Sequence, residues 1–353
     1  MDKDIFTRED LVSLLSCGGE EAASLFQKAK EIKEKHVGNV VHFRGLVEYS
    51  NKCNKNCYYC GIRSGNRSLD RYTVTEEEVL HAARTVLDNR YGSMVLQSGE
   101  CSTPLFVRRI AGLIEKIKQM SNNAIGITLS CGEQSGETYR QWFEAGAHRY
   151  LLRIESSNQS LYEKIHPQNK KHDYLHRLAC LSHLRQIGYQ VGTGVMIGFP
   201  MQTVEHLAED LLFFKAQDID MVGMGPYIEH SETPFYQFKD RLLPLEERFA
   251  LTLKMIALTR IMMKNINIVA STAMQAIDAR GREKALLSGA NIIMPNLTPQ
   301  KYRKNYLLYQ NKPCVDENSE MCKNCLANRV SSIGHTIGYD RWGDSLHFNL
   351  RNS

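Results

Sequence analysis

The sequence predicts an α/β fold, a (β/α)8 barrel of the TIM type, on three observations. Eight short apolar runs alternate with longer amphipathic stretches, the alternation that builds a parallel sheet with crossover helices. The segment that holds them, residues 43–296, has about the 250 residues such a barrel needs. Polar and conformationally special residues gather just after the runs, on the side where barrels build their active sites. A helical cap over residues 1–42 and a carboxyl-terminal extension over 297–353 complete the expected organisation.

In chain order, Ser13 to Ala29 places Leu14, Leu15, Ala22, Leu25, Phe26 and Ala29 at near-helical spacings, with Gly18-Gly19 breaking the stretch into two helices. The expected strands are Phe43 to Tyr49, Ser93 to Gln97, Ile125 to Ser130, Arg149 to Ile154, Val191 to Ile197, Met221 to Met224, Ile268 to Thr272 and Ala290 to Met294. Between them come helical patterns such as Thr75 to Leu87, opened by Thr75 with Glu78 three residues on, and Val107 to Met120. A cysteine group follows the first run, Gln97-Ser98-Gly99-Glu100 the second, and Thr128 and Ser130 lie on the third. Glu155 closes the fourth, Gly198-Phe199-Pro200 follows the fifth and Gly223 to Pro226 the sixth; Ser271-Thr272 end the seventh, and Pro295-Asn296 follow the eighth. One mouth would see them all.

A chain of 353 residues buries about 75% of its unfolded surface, so its ten cysteines are not needed as staples. The first residues, MDKDIFTRED, form no apolar signal segment, and no run of about 18 apolar residues could span a bilayer. A cytoplasmic location is expected, where thiols stay reduced and clustered cysteines favour metal sites over disulfides. The net charge of +5 is mild and dispersed, which argues against a nucleic-acid surface.

Three thiols fall within eight residues in Cys53-Asn54-Lys55-Asn56-Cys57-Tyr58-Tyr59-Cys60, spaced C-x3-C-x2-C. Thiolates are soft ligands that select iron–sulfur clusters, zinc or copper(I). A cubane of four irons held by three cysteines leaves one iron without a protein ligand, and an open metal position is where chemistry happens. A closed zinc site wants four ligands, and no histidine lies between His42 and His81.

Arg149, Arg153 and Glu155 stand at alternate positions and would share one face. Two guanidiniums and a carboxylate aimed into a barrel need either one another or a ligand, and arginine suits carboxylates. Gly192, Gly194 and Gly198 thin one strand and its loop, through close approach of a ligand or through tight barrel packing. Tyr302, Tyr306 and Tyr309 have helical spacing and would share a face, as packing or with hydroxyls toward the cavity. Cys314, Cys322 and Cys325 form a C-x7-C-x2-C set in the polar tail, suited to a second iron–sulfur cluster (2Fe-2S or 4Fe-4S) or to zinc. Cys17, Cys101, Cys131 and Cys180 lack partner spacing and read as buried small hydrophobes, with Cys101 and Cys131 nearest the mouth.

The cysteine spacing with Tyr59 before the last thiol, the Gln97 to Glu100 element and the glycine-rich fifth strand resemble the radical S-adenosylmethionine (SAM) enzymes. The likeness extends further, through Glu48-Tyr49-Ser50-Asn51, Leu96 to Glu100, Arg149 to Arg153 with Glu155, Asp220 to Gly223, Gly289-Ala290-Asn291, Met294-Pro295-Asn296 and the tail cysteines. Together these are similar to the HydE family of FeFe-hydrogenase maturases, whose relatives in architecture are biotin synthase and methylornithine synthase. The likeness runs from about residue 30 to about residue 330.

The resemblance implies a 4Fe-4S cluster on Cys53, Cys57 and Cys60. Its open iron would be chelated by the amino and carboxylate groups of SAM, and its electron would cleave SAM to a 5'-deoxyadenosyl radical. Gln97, Ser98 and Glu100 would take the SAM amino group, Glu155, Arg177 and Met196 would contact SAM, and Tyr59 and Ser130 would lie beside it. Thr128, Arg149, Arg153, Thr272, Tyr306 and Tyr309 would line a lower cavity for substrate, and the fifth strand would cradle adenine and ribose. The implied task is assembly of the hydrogenase's diiron cofactor from a small-molecule or small metal-complex substrate. A reductant such as ferredoxin or flavodoxin and other hydrogenase maturases would be the partners. The alternatives are a radical SAM mutase or sulfur-chemistry enzyme on a small amino-acid-like substrate, or a zinc-binding protein without catalysis. Cys101, Ile154 and Leu297 stand where the family more often has an acidic residue, a histidine and a tryptophan.

Overall fold

The computed structural model describes residues 5–315 and 319–352, with the backbone course alone over 319–324. Two helices come first, Arg8–Ser16 and Gly19–His36, parted at Cys17 and Gly18. Thr7 caps the first: its hydroxyl accepts from the Asp10 N–H at 3.1 Å while Asp10 accepts from the Thr7 N–H at 3.0 Å. Leu11, Leu15, Leu25 and Ala29 are buried against helices Val204–Ala216 and Leu245–Met262, so the pair clads the side of the barrel.

Seven parallel strands, Gly45–Ser50, Ser93–Ser98, Gly126–Ser130, Arg149–Leu151, Gln190–Thr193, Met221–Val222 and Asn267–Ile268, bond in that order into one sheet. The eighth, Ile292–Ile293, closes the ring. On one side the Ala270 N–H donates to the Ile292 carbonyl and the Asn291 N–H to the Ile268 carbonyl, both at 2.9 Å. On the other, the Arg44 N–H reaches the Ile293 carbonyl at 2.9 Å and the Leu46 N–H the Pro295 carbonyl at 2.7 Å. Val47, Leu96, Ile127, Leu129, Tyr150, Val191, Val222 and Ile268 are all buried, the continuous apolar character of strands covered on both faces. The expected fifth run divides, because Met196–Ile197 leaves the sheet to pair with Gly225–Pro226.

The helix Glu76–Asp88 starts on the expected cap, with the Glu78 carboxylate accepting from the Thr75 N–H at 3.0 Å. The next helix, Pro104–Met120, begins three residues earlier than its apolar pattern, because Thr103 caps it and Pro104 suits its first turn. Among the described residues, no helix is long and apolar enough to cross a membrane.

Beyond the eighth strand the chain first crosses the carboxyl-end mouth. The Gly61 N–H donates to the Leu308 carbonyl at 3.0 Å and the Gln310 N–H to the Glu229 carbonyl at 3.1 Å. It then returns to the amino end, where Thr336–Ile337 pairs with the short strand Val40–Phe43. The following residues plug the barrel floor. The Gly343 carbonyl accepts from Arg44 Nη2 at 3.0 Å and Asn267 Nδ2 at 2.9 Å, and the Ser345 N–H donates to Gln190 Oε1 at 3.0 Å.

Candidate active site

The loop after the first strand is irregular but tightly bonded. Arg71 holds it from within, donating to the carbonyls of Asn51 (2.6 Å), Ile62 (2.8 Å), Arg63 (2.6 Å) and Asn66 (2.9 Å). Asn51 is fully buried and donates to the carbonyls of Asp70 at 2.9 Å and Asn305 at 2.7 Å. Turns at Cys60 and Arg63, whose N–H groups reach the carbonyls of Cys57 (3.4 Å) and Cys60 (3.1 Å), bring the thiols within each other's field. Burial pushes the Cys57 thiol well up, and Cys60 and Cys53 push it further. Burial and then Cys53 raise Cys60 to about 12. Burial also raises Cys53, against backbone N–H groups of Lys55 and Glu100 that donate to its sulfur, the latter at 3.3 Å.

The second strand ends directly on this loop. A Cβ on Gly99 would lie 2.5 Å from the Lys52 carbonyl oxygen and 2.8 Å from Cys53 Cβ, so only glycine lets the two segments meet. Glu100 then enters a buried charged group. Lys55 Nζ is 2.7 Å from Glu133 and 3.1 Å from Glu100, and Arg177 is 2.6 Å from Glu133 and 3.6 Å from Glu100. Burial pushes the Glu100 carboxyl up; Arg177 opposes this and Glu133 adds to it. Burial works against the Arg177 charge, yet Glu133 and Glu100 hold it well above its ordinary range. Asp173 caps helix Tyr174–Ile187 by accepting from the His176 N–H at 2.8 Å, which sets Arg177 in the first turn. Glu48, Gln97 and Ser130 are partners in register and share the inner face, and Gln97 Nε2 is 3.4 Å from the Tyr306 hydroxyl. The Ser98 hydroxyl donates to the Gly99 carbonyl at 2.8 Å.

Past the fourth strand, Arg153 and Glu155 pair with each other at 2.9 Å. Glu155 has a φ of +65°, a left-handed backbone that is uncommon outside glycine and asparagine. Arg153 Nε is buried without a partner among the described residues. Behind them the Asp210 carboxyl, fully buried, accepts from the Ser157 N–H at 2.7 Å; burial pushes it to about 7 with the Ser157 bonds opposing. Across the mouth stands an aromatic wall. The Tyr59 hydroxyl is 3.0 Å from His166 Nε2, its ring centroid is 5.4 Å from that of Phe199, and Met196 packs on the same group with Tyr227 and Phe235.

Several residues stand elsewhere than their spacing suggested. Arg149 and Thr128 do not join Arg153 at the mouth. Arg149 is fully buried near the floor, where its Nε donates to the Thr128 hydroxyl at 2.9 Å and its other nitrogens donate to Ser93, the Trp342 carbonyl (3.1 Å) and Asp344. Arg149 and Arg153 are four residues apart, about 13 Å along an extended strand, so a shared face leads to opposite ends. The glycines of the fifth strand answer to packing: a Cβ on Gly194 would lie 1.8 Å from the Gly223 carbonyl oxygen, and one on Gly192 2.6 Å from Met221 Cε. Of the tyrosine stretch only Gln300–Arg303 is helical, so the three rings share no face. Tyr302 turns outward onto Tyr72, with ring centroids 4.6 Å apart, and donates to Glu78 at 2.9 Å. Tyr306 is buried, and the Tyr309 phenol is pushed to about 12 by burial with Thr272 opposing. Thr272 opens helix Thr272–Ile277 rather than ending a strand. Cys17, Cys131 and Cys180 are buried and Cys101 half-buried. In the tail set Cys314 is half-buried and Cys325 exposed, while the Cys322 side chain lies outside the described residues.

Lys55, Glu133 and Lys312 were not singled out from the sequence. Glu133 stands three residues past the third strand, and a carboxylate just beyond a barrel strand was the available signal. Glu48 is 2% exposed and is neutralised by Lys312, which also donates to the Tyr306 carbonyl at 2.9 Å; nothing local in sequence joins residues that far apart. The assembled groups fit a cluster and an amino-acid-like cofactor. Three soft donors raised by burial, Cys57 and Cys60 also by neighbouring thiols, are suited to a cationic metal that stabilises their thiolates, and Cys53 already receives N–H groups of the kind that tune cluster sulfurs. The mouth supplies carboxylates for an ammonium and guanidiniums for a carboxylate.

Comparison with known proteins gives the chain its family. The radical SAM superfamily matches residues 47–214. The [FeFe] hydrogenase maturase subunit HydE of Thermotoga maritima is 44% identical over 347 residues, 97% of this chain and 95% of that protein. The 3-methylornithine synthase of Methanosarcina acetivorans is 28% identical over 289 residues, 81% of this chain and 78% of that protein. The crystal structure of methylornithine synthase (PylB) has the same fold, with a TM-score of 0.80 at 23% identity, covering 95% of this chain and 94% of that one. Three thiols beside a buried acid–base group at a barrel mouth, with identity sustained along nearly the whole of both chains, make this chain a member of the radical SAM superfamily and, within it, of the HydE family.

Proposed function

We propose that the chain is a radical SAM enzyme of [FeFe]-hydrogenase maturation, acting as HydE does in assembly of the diiron cofactor, with Cys53, Cys57 and Cys60 holding a 4Fe-4S cluster. The observation that carries this reading is Glu100. Its N–H meets the Cys53 sulfur at 3.3 Å while its carboxylate lies 3.1 Å from Lys55 and 3.6 Å from Arg177, so one residue touches both the thiol loop and the ionic group.

When bound, the cluster and SAM supply a one-electron cleavage of the sulfonium that yields a 5'-deoxyadenosyl radical. Glu100 and Ser130 hold the amino group through carboxylate and hydroxyl acceptors with Gln97 beside them, while Ser98, on the opposite face of its strand, supports the turn through the Gly99 carbonyl. Arg177 and Glu155 orient the rest of SAM, and Tyr59 and Met196 form an apolar wall that excludes water. Arg153, whose buried Nε has no partner among the described residues, lies on the substrate side with Thr272, Tyr306 and Tyr309. The substrate is a small molecule or small metal complex. The electron comes from a reductant such as ferredoxin or flavodoxin, other hydrogenase maturases are partners, and the setting is the cytoplasm. Cys314, Cys322 and Cys325 carry an accessory cluster, so the triple alanine variant should hold less iron per chain and still cleave SAM.

Anaerobically reconstituted protein with dithionite should release 5'-deoxyadenosine from SAM. It should also replace HydE in a maturation mixture and give active hydrogenase. Nucleoside release without hydrogenase activation would refute the task and keep the chemistry; neither would refute both.

A further inference from the structure

Lys55 lies inside the cysteine motif, yet its side chain leaves the loop. Lys55 is 5% exposed, and its Nζ reaches three acceptors: Glu133 at 2.7 Å, Glu100 at 3.1 Å and the Lys171 carbonyl. Its own backbone N–H donates to the Cys53 sulfur, and its carbonyl accepts from the Ser64 N–H at 2.8 Å. Lys55 is therefore tied at once to a thiol, to the turn that ends the motif and to the carboxylates of Glu100 and Glu133. Arg177 supplies the second cation, 2.6 Å from Glu133 and 3.6 Å from Glu100, so the four charges balance.

We propose that Lys55, with Glu133 as its anchor, is a positioning residue that fixes the Glu100 carboxylate relative to the cysteine loop, so that the cluster and the SAM amino group are held in register. The proposal rests on the radical SAM reading of the same mouth. The geometry gives the reason. Lys55 holds one Glu100 oxygen, the Glu133 N–H also donates to this carboxylate, and the other oxygen lies 3.6 Å from Arg177, beyond a hydrogen bond, which leaves acceptor capacity for an incoming ammonium. Without Lys55, Glu100 keeps the Glu133 N–H but can close from 3.6 Å onto Arg177 Nη2, whose Nε already meets Glu133 at 2.6 Å, and that charge-assisted bond takes up acceptor capacity meant for the ammonium. Charge alone predicts the opposite outcome: removing a cation next to an ammonium site should tighten binding. The two accounts thus differ in sign.

A buried ion group is weak evidence of stability, because isosteric apolar replacements are often neutral. A purely structural Lys55 would leave SAM affinity alone. The test uses full-length, anaerobically loaded Lys55→Met, Lys55→Arg and Glu133→Gln. SAM dissociation is measured by equilibrium dialysis, and the electron paramagnetic resonance of the reduced cluster is recorded as SAM is added. Positioning predicts that Lys55→Met weakens SAM about tenfold, that its spectral change appears only at correspondingly higher SAM, and that Lys55→Arg recovers most of the loss. Glu133→Gln, outside the cysteine loop, should weaken SAM as well. Wild-type or tighter affinity in Lys55→Met overturns the proposal; if that variant takes up no cluster, wild-type affinity in Glu133→Gln overturns it. A loaded wild-type protein that binds no SAM would sink the radical SAM reading itself, which separates the two failures.

Discussion

The two ends of the barrel bury comparable charges to opposite effect. At the floor, Arg149 donates to Thr128, Ser93, the Trp342 carbonyl and Asp344, and although burial opposes it, His148 and Arg149 hold the Asp344 carboxyl well below the usual carboxylate range. The Arg149–Asp344 pair is thus well satisfied, although Arg44 Nε beside it is buried without a partner among the described residues. At the mouth, Glu100 is pushed up by burial despite Arg177 and Lys55, Arg153 Nε has no partner among the described residues, and Glu155 holds a strained backbone. A carboxylate whose ionised form is under-stabilised gains most from an arriving cation. The contrast between Asp344 and Glu100 teaches where to look for function in a barrel full of buried charge: at a carboxylate left under-neutralised, and not at the best-satisfied ion pair.

The largest effect should come from the mouth. Cys57→Ala should reduce 5'-deoxyadenosine release to background in a chromatographic assay, since two thiols no longer hold the cluster; retained release would move the chemistry away from this loop. The floor should respond in stability alone. Arg149→Met leaves Asp344 without its main cation and should cost about 3–5 kcal/mol in urea unfolding, with SAM affinity unchanged. A SAM defect in that variant would erase the distinction between the ends.

Asp210 sharpens the comparison, because it supports the loop after Glu155 and its folded value is raised to about 7. The folded state then binds a proton that the unfolded state releases near pH 4, so stability falls as pH rises from about 4 to about 7. Asp210→Asn keeps the Ser157 bond and lacks this loss. Its advantage over wild type should grow by on the order of 1 kcal/mol per pH unit across that window and level off above it; a pH-independent difference in thermal unfolding would contradict the assignment. The smallest effect belongs to neither end. Lys116→Ala removes a pair with Glu76 that is about half exposed on both sides, and should change stability by less than about 1 kcal/mol.

Much of this was legible in the sequence because it is local. The cysteine spacing, the Gly99-Glu100 pair and the Thr75 cap all lie within a few residues, and the alternation of runs gave the strand count. The floor was not legible: Arg149 and Asp344 meet across 195 residues, and side-chain periodicity specifies which face a residue takes but not which end. The same limit hid Lys55 from Glu133, whose separation is 78 residues. The tyrosine stripe failed for a different reason. Spacing of four and three is necessary for a shared helical face, but the chain after Arg303 turns to cross the mouth.

The most direct measurement is electron paramagnetic resonance of the reduced, fully iron-loaded protein with and without SAM. A cluster held by Cys53, Cys57 and Cys60 beside Glu100 should change its spectrum when SAM is added, and the change should disappear in Cys57→Ala. A loaded cluster whose spectrum ignores saturating SAM would contradict the account.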